Sequence, residues 1–215
     1  MGIPVLLIGN SGTGKSTSLR NFGTEEVAII NVLGKPFPFR NQFKYTKKTD
    51  DYEVVKKFFA KCPVKTIVID DAGYLITNQF MRGHSTFGKG NDIFSFYNSI
   101  ADKFWNLIFT EISKLPDDYI VYIIMHEDTD DYGNIKPKTI GKVLDDKVNI
   151  PGLCTAVLRS VCENGRYYFK TNSDGNDACK SPMGMFQDKL IDNDLKAVND
   201  IIRDFFFNEN NNIKE

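Results

Sequence analysis

Short runs with apolar residues on both parities recur through the first half of the chain: Val5–Ile8, Glu26–Asn31, Thr66–Asp70 and Tyr119–Met125. Runs of this length and filling predict strands covered on both faces of a sheet. Between them the apolar spacing changes to that of a helix. Tyr52, Val55, Phe58 and Phe59 mark one helix, which Pro63 ends. Residues 74–81 suggest a short second one. Ile93, Phe96, Ile100, Phe104, Leu107, Ile108 and Ile112 line one face of a long third, capped by Asn91 or Asp92. Residues 32–50 hold two of the chain's prolines and several charges, so they read as loop with a short edge strand near Phe43–Thr46.

After the fourth strand the alternation stops. Asp128–Lys138 reads as an acidic loop or hairpin. Ala156–Glu163, Asn164-Gly165 and Arg166–Thr171 then make a strong hairpin signal, with Asn-Gly suited to a type I′ turn. Residues 172–189 read as loop. Leu195, Val198, Ile202, Phe205 and Phe206 define a last amphipathic helix, followed by a frayed tail from 207 to 215. The expectation is one three-layer α/β domain over residues 1–215, its mainly parallel sheet extended by a C-terminal antiparallel β-hairpin.

Composition narrows this little. The 215 residues are 41% apolar and 26% charged, which is globular rather than disordered. A formal charge of −1 gives no general attraction for nucleic acid. Cys62, Cys154, Cys162 and Cys179 form no C-x-x-C pair, so they read as reduced thiols rather than a zinc site. No apolar run approaches the roughly 18 residues of a membrane span. With the glycine loop beginning at residue 9, no leader is expected either, and the expected location is cytoplasmic.

That glycine loop changes the picture most. Gly9-Asn10-Ser11-Gly12-Thr13-Gly14-Lys15-Ser16 follows the first strand and precedes a stretch that reads as a helix, with Thr17 in its first turn. This is G-x-x-x-x-G-K-S in the setting the motif needs. The glycines let successive N–H groups converge on phosphate oxygens. Lys15 is placed to reach the β- and γ-phosphates, and the Ser16 hydroxyl to complete the shell of Mg²⁺. A helix opening at Gly14 or Lys15 would aim its positive end at the same anion.

Thr66-Ile-Val-Ile-Asp70-Asp71 sets a carboxylate at the C-terminal rim of a strand, where open α/β sheets bind ligands. Asp70 is the candidate to hold Mg²⁺ through water beside Ser16. Asp71 is the candidate to polarise an attacking water, with a helix cap before Ala72-Gly73-Tyr74 as its plain structural alternative. His126, after the fourth apolar run, is placed to sense the γ-phosphate, and Glu127 is its neighbouring alternative. Lys170 and Lys180 are weaker candidates for a cation reaching a neighbouring subunit's γ-phosphate, against a solvated-lysine reading for each. The loop Arg82–Lys89, with Phe87, could track a nucleic-acid backbone or be an ordinary loop.

On Gly9–Thr17, Ile67–Asp71, Met125-His126-Glu127 and Arg166–Phe186, the chain resembles the RecA-like P-loop ATPases of bacteriophages. These are small AAA-type proteins associated with recombination and single-strand annealing. The first two segments are shared by many P-loop ATPases, while His126-Glu127 and the Lys180-Ser-Pro-Met-Gly stretch are more particular to the group. The resemblance implies a RecA-like P-loop fold and an ATPase using ATP and Mg²⁺ with single-stranded DNA. It also implies a homo-oligomer with ATP at subunit boundaries, working alongside a phage annealing or single-strand-binding protein. The chain departs from the RecA-like pattern after the second strand, where Asn31-Val-Leu-Gly stands in place of a catalytic carboxylate. The general base then falls to Asp71 or Glu127.

Two other readings share the phosphate loop. A nucleotide or small-molecule kinase would add an arginine-rich lid, whereas this chain has six scattered arginines. A slowly hydrolysing ATP-dependent interaction module would fit the missing carboxylate.

Overall fold

The computed structural model describes residues 1–86, 91–141 and 143–208. Its centre is a nine-stranded sheet of β1 (Ile3–Gly9), β2 (Ala28–Asn31), β3 (Tyr45–Lys48), β4 (Thr66–Asp70), β5 (Ile120–Thr129), β6 (Ile135–Pro137), β7 (Ala156–Glu163), β8 (Arg166–Lys170) and β9 (Leu190–Asp192). The order across it is β3-β2-β4-β5-β1-β7-β8-β9, with β6 paired to the far end of β5. From β3 to β7 every neighbour is parallel; β8 and β9 run antiparallel. The fold is thus α/β with a mainly parallel sheet and an antiparallel C-terminal extension.

Alternation along the central strands feeds two separate cores. Leu6, Ile8, Ile30, Ile67, Ile69, Val121 and Ile123 face one side. There they meet the apolar faces of α1 (Tyr52–Ala60), α2 (Gly73–Gly83) and α3 (Asn91–Asn106). Val5, Leu7, Ile29, Val68, Tyr122, Ile124 and Leu158 face the other, against Leu19 and the C-terminal helix through Leu195, Val198 and Ile202. The central strands are buried on both faces, as their unbroken apolar runs require.

Helix ends follow local chemistry. The Asp51 carboxylate accepts from the Glu53 and Val54 amides and starts α1. Asp92 lies in the first turn of α3, while a capping side chain at Asn91 lies outside the described residues. That helix continues through a π turn, Leu107–Glu111, into a 3-10 turn, Ile112–Lys114. A four-residue turn of helix, α4 (Ile150–Leu153), precedes β7, and α5 (Leu195–Phe207) is capped by Asp194. Asn164 and Gly165, with φ of 52° and 77°, form the expected mirror-image turn between β7 and β8.

Three expectations change. The segment after the glycine loop is a six-residue 3-10 helix, Ser16–Asn21, rather than an α-helix. The Ser18 hydroxyl donates to the Lys15 carbonyl at 2.6 Å, competing with a regular helical ladder. Strand β5 runs four residues past Met125 because β6 folds back on it, pairing Glu127 with Pro137 and Thr129 with Ile135. The tail expected to fray from 207 remains helical to Phe207, and residues 209–215 lie outside the described residues.

Candidate nucleotide-binding site

Parallel register delivers the candidate residues to one edge. Gly9 of β1 lies opposite His126 of β5, and Asn31 of β2 opposite Asp70 of β4. Strand β5 separates β1 from β4, so His126 projects between the glycine loop and the acidic pair. The C-terminal edge of a parallel sheet is where chain reversals leave a crevice. Here it holds a cavity of about 790 Å³ lined by the glycine loop, Asp70, Asp71, His126 and Glu127.

The loop is held from below. Ser160 donates to the Thr13 carbonyl at 2.5 Å and accepts from the Asn193 side chain at 3.1 Å. Gly9 admits no side chain, because a Cβ there would stand 2.7 Å from Thr13 Oγ1 and 2.8 Å from the Ser160 carbonyl. Lys15 is buried and donates to the Gly9 and Asn10 carbonyls at 2.8 and 2.7 Å. Burial pulls its pKa below the ordinary lysine value, against the opposing pull of Asp71, Glu127 and Asp70.

Ser16 donates to Asp70 Oδ1 at 2.9 Å. Burial, with the charge of Asp71 second, pushes the Asp70 carboxyl up to about 6. Asp71 takes a left-handed backbone, φ 60°, which turns it out of the strand. Its side chain makes no cap bond to α2, whose N-cap is Ala72. The carboxylate instead lies 3.5 Å from Lys35 Nζ and 3.6 Å from His126 Nε2. Burial, then the Lys15 charge, lowers the His126 pKa, and its ring is set edge-on to Tyr74.

Glu127 is engaged differently. Arg159 grips it in a fork of 2.7 and 2.8 Å, and Asn10 Nδ2 donates to it at 2.8 Å. Three charge-assisted donors on one buried carboxylate make a brace between the glycine loop, β5 and β7. Lys170 and Lys180 lie away from the cavity lining. Lys170 is buried against Asp177 at 2.6 Å and Asp174 at 2.8 Å, and the Lys180 backbone bridges to Val157. In the loop weighed for nucleic acid, Arg82 and Gly83 belong to α2 and Arg82 is paired with Asp50, while residues 87–89 lie outside the described residues.

Several lining residues had no signal in the sequence. Lys35 and Lys138 face the cavity from loops, and Tyr167 of β8 lines it with 47% exposure. Asn31 holds the Lys35 loop in place, accepting from the Gly34 amide and donating to the Lys35 carbonyl, each at 2.7 Å. Arg159 could have been noticed as a charge inside an apolar strand.

The donors fit a magnesium triphosphate. Convergent loop amides and the Lys15 ammonium suit phosphate oxygens, while the Ser16 hydroxyl beside a buried carboxylate suits a hard divalent cation. A carboxyl pushed up by burial is one that such a cation would return to its charged form.

Comparison with known proteins agrees on the class. A family model described as AAA domain matches residues 1–181. No curated protein matches the chain. Among solved structures, the chain is similar to a KaiC-like protein, PH0186, from the hyperthermophilic archaeon Pyrococcus horikoshii OT3. The identity is 13% and the TM-score 0.47, over 78% of this chain and 77% of that one.

Proposed function

The chain belongs to the AAA domain family, and from that premise we propose that it is an Mg²⁺-dependent ATPase. Its turnover is coupled to single-stranded DNA during phage recombination, annealing or replication. The observation that carries the hydrolytic reading is the Ser16–Asp70 pair beside the buried Lys15, with Asp71 and His126 lining the same cavity. The DNA coupling rests on the resemblance of the glycine loop, the acidic strand end and the His-Glu pair to phage RecA-like ATPases.

Ser16 and Asp70 would hold the cation, which supplies charge to the β- and γ-phosphate oxygens. Loop amides and Lys15 orient the triphosphate, Lys15 giving up its bonds to the Gly9 and Asn10 carbonyls. Water attacks the γ-phosphorus while its bond to the bridging oxygen breaks, leaving that electron pair on ADP. Asp71 accepts the water's proton and returns it to solvent, and inorganic phosphate leaves. His126 meets the phosphate edge from the end of β5.

A second reading has its own observation. Asn31 occupies the position of a RecA-like catalytic carboxylate, and Glu127 is tied up by Arg159 and Asn10. Asp71 alone would then make a slow hydrolase used as a switch. Steady-state ATP hydrolysis with Mg²⁺, with and without single-stranded DNA, separates the two. Stimulation of several-fold supports the DNA-coupled ATPase; a slow rate indifferent to DNA supports the switch. The kinase reading is disfavoured, since no arginine lines the cavity among the described residues.

A further inference from the structure

Phosphoryl transfer to water builds negative charge on the γ-phosphate oxygens, and a P-loop site needs a cation beyond its own lysine to meet it. Of the two lysines expected to serve a neighbour, Lys170 is already paired with two carboxylates of its own chain. Two other lysines face the nucleotide cavity, Lys35 and Lys138. Resting on the ATPase reading, we propose that they supply the γ-phosphate's counter-charge from within the same chain, so that one subunit completes its own active site.

Both lysines stand on built positions. The Lys35 carbonyl is fixed by Asn31, and its ammonium reaches to 3.5 Å from Asp71 and 5.6 Å from the Tyr74 ring centroid. Lys138 directly follows β6, and its amide donates to the His126 carbonyl at 2.8 Å. The hairpin that lengthens β5 therefore brings Lys138 back over His126. Both ammonium groups act on that imidazole, adding to the effect of burial and Lys15 on its proton affinity. Lys35, beside Asp71, and Lys138, held through its backbone to His126, thus both line the cavity in which the phosphates would lie.

The arrangement also gives Lys35 two alternative partners. In this structure it pairs with Asp71 at 3.5 Å, and a bound triphosphate is the stronger attractor.

A mixing experiment tests this. The double variant Lys35→Ala/Lys138→Ala keeps the phosphate loop, and Lys15→Ala keeps both outer lysines. Alone, the double variant should turn over about 100-fold more slowly, the scale for removing preorganised donors from a developing anion. Its preference for ATP over ADP in equilibrium binding should fall while ADP affinity holds. Mixed with an excess of Lys15→Ala protein it should stay slow, and wild-type specific activity should not change on dilution. Rescue by mixing, or an unchanged ATP-to-ADP preference, would overturn the proposal. Loss of binding to both nucleotides in the wild type would instead overturn the ATPase reading beneath it, and the binding assay reports that separately from the rate.

Discussion

Asp70 carries a testable conflict between stability and function. Burial raises its carboxyl from 3.8 to about 6, so the folded protein at neutral pH holds a charge it would rather shed. A shift of about two units corresponds to roughly 3 kcal/mol. The sign follows from proton counting. Between the unfolded and folded values the folded state binds more protons, so the stability contribution is complete below 3.8 and is lost as pH rises through about 6. Asp70→Asn removes that cost and keeps an oxygen to accept from Ser16. It also loses the bond that the Asp71 amide gives the carboxylate, worth about 1 kcal/mol. The variant should therefore be more stable by about 2 kcal/mol at pH 8 without metal, a rise in Tm of ~4–8 °C for a chain of this size. At pH 5 about half of the charge penalty remains, and the gain should shrink to about 1–2 °C. The same variant should lose Mg²⁺-dependent nucleotide binding. Paired thermal melts at the two pH values, in EDTA, measure this. A variant less stable than wild type at pH 8, or a difference that ignores pH, would refute the argument.

Other perturbations probe the frame of the site. Arg159→Ala leaves Glu127 buried with one donor, Asn10, and should destabilise by about 3–5 kcal/mol in urea unfolding. Adding Glu127→Gln should recover part of that loss, because the buried charge goes too. Gly9→Ala forces a methyl against Thr13 and the Ser160 carbonyl and should cost about 1–3 kcal/mol, with nucleotide binding lost in the same protein.

The parts of the site legible in the sequence are those whose chemistry is local. The glycine loop and the strand ending at Asp70 announce themselves because a short motif abuts an apolar run, and Thr66–Asp70 has the expected bounds. The Asn10–Glu127–Arg159 brace was not legible. It depends on β7 lying beside β1 with Ile8 opposite Arg159, and on β5 lying on the other side of β1. Lys35 and Lys138 were missed for a related reason, since loop lysines read as solvated until a turn at Asn31 and a hairpin at β6 return them to the cavity. The three-residue β9 carries no period long enough to detect. The helix after the loop misled because the motif implies an α-helix, whereas Ser16-Thr-Ser18 favours local side-chain bonds.

The central claim is that the loop closing on Lys15 is a triphosphate site. Equilibrium titration of ATP with Mg²⁺ into the wild type and Lys15→Ala, with an EDTA control, tests it most directly. The wild type should bind, and both the substitution and EDTA should weaken binding by about 100-fold or more, the loss of charge-assisted contacts to phosphate. Equal affinity in wild type and Lys15→Ala would contradict the assignment.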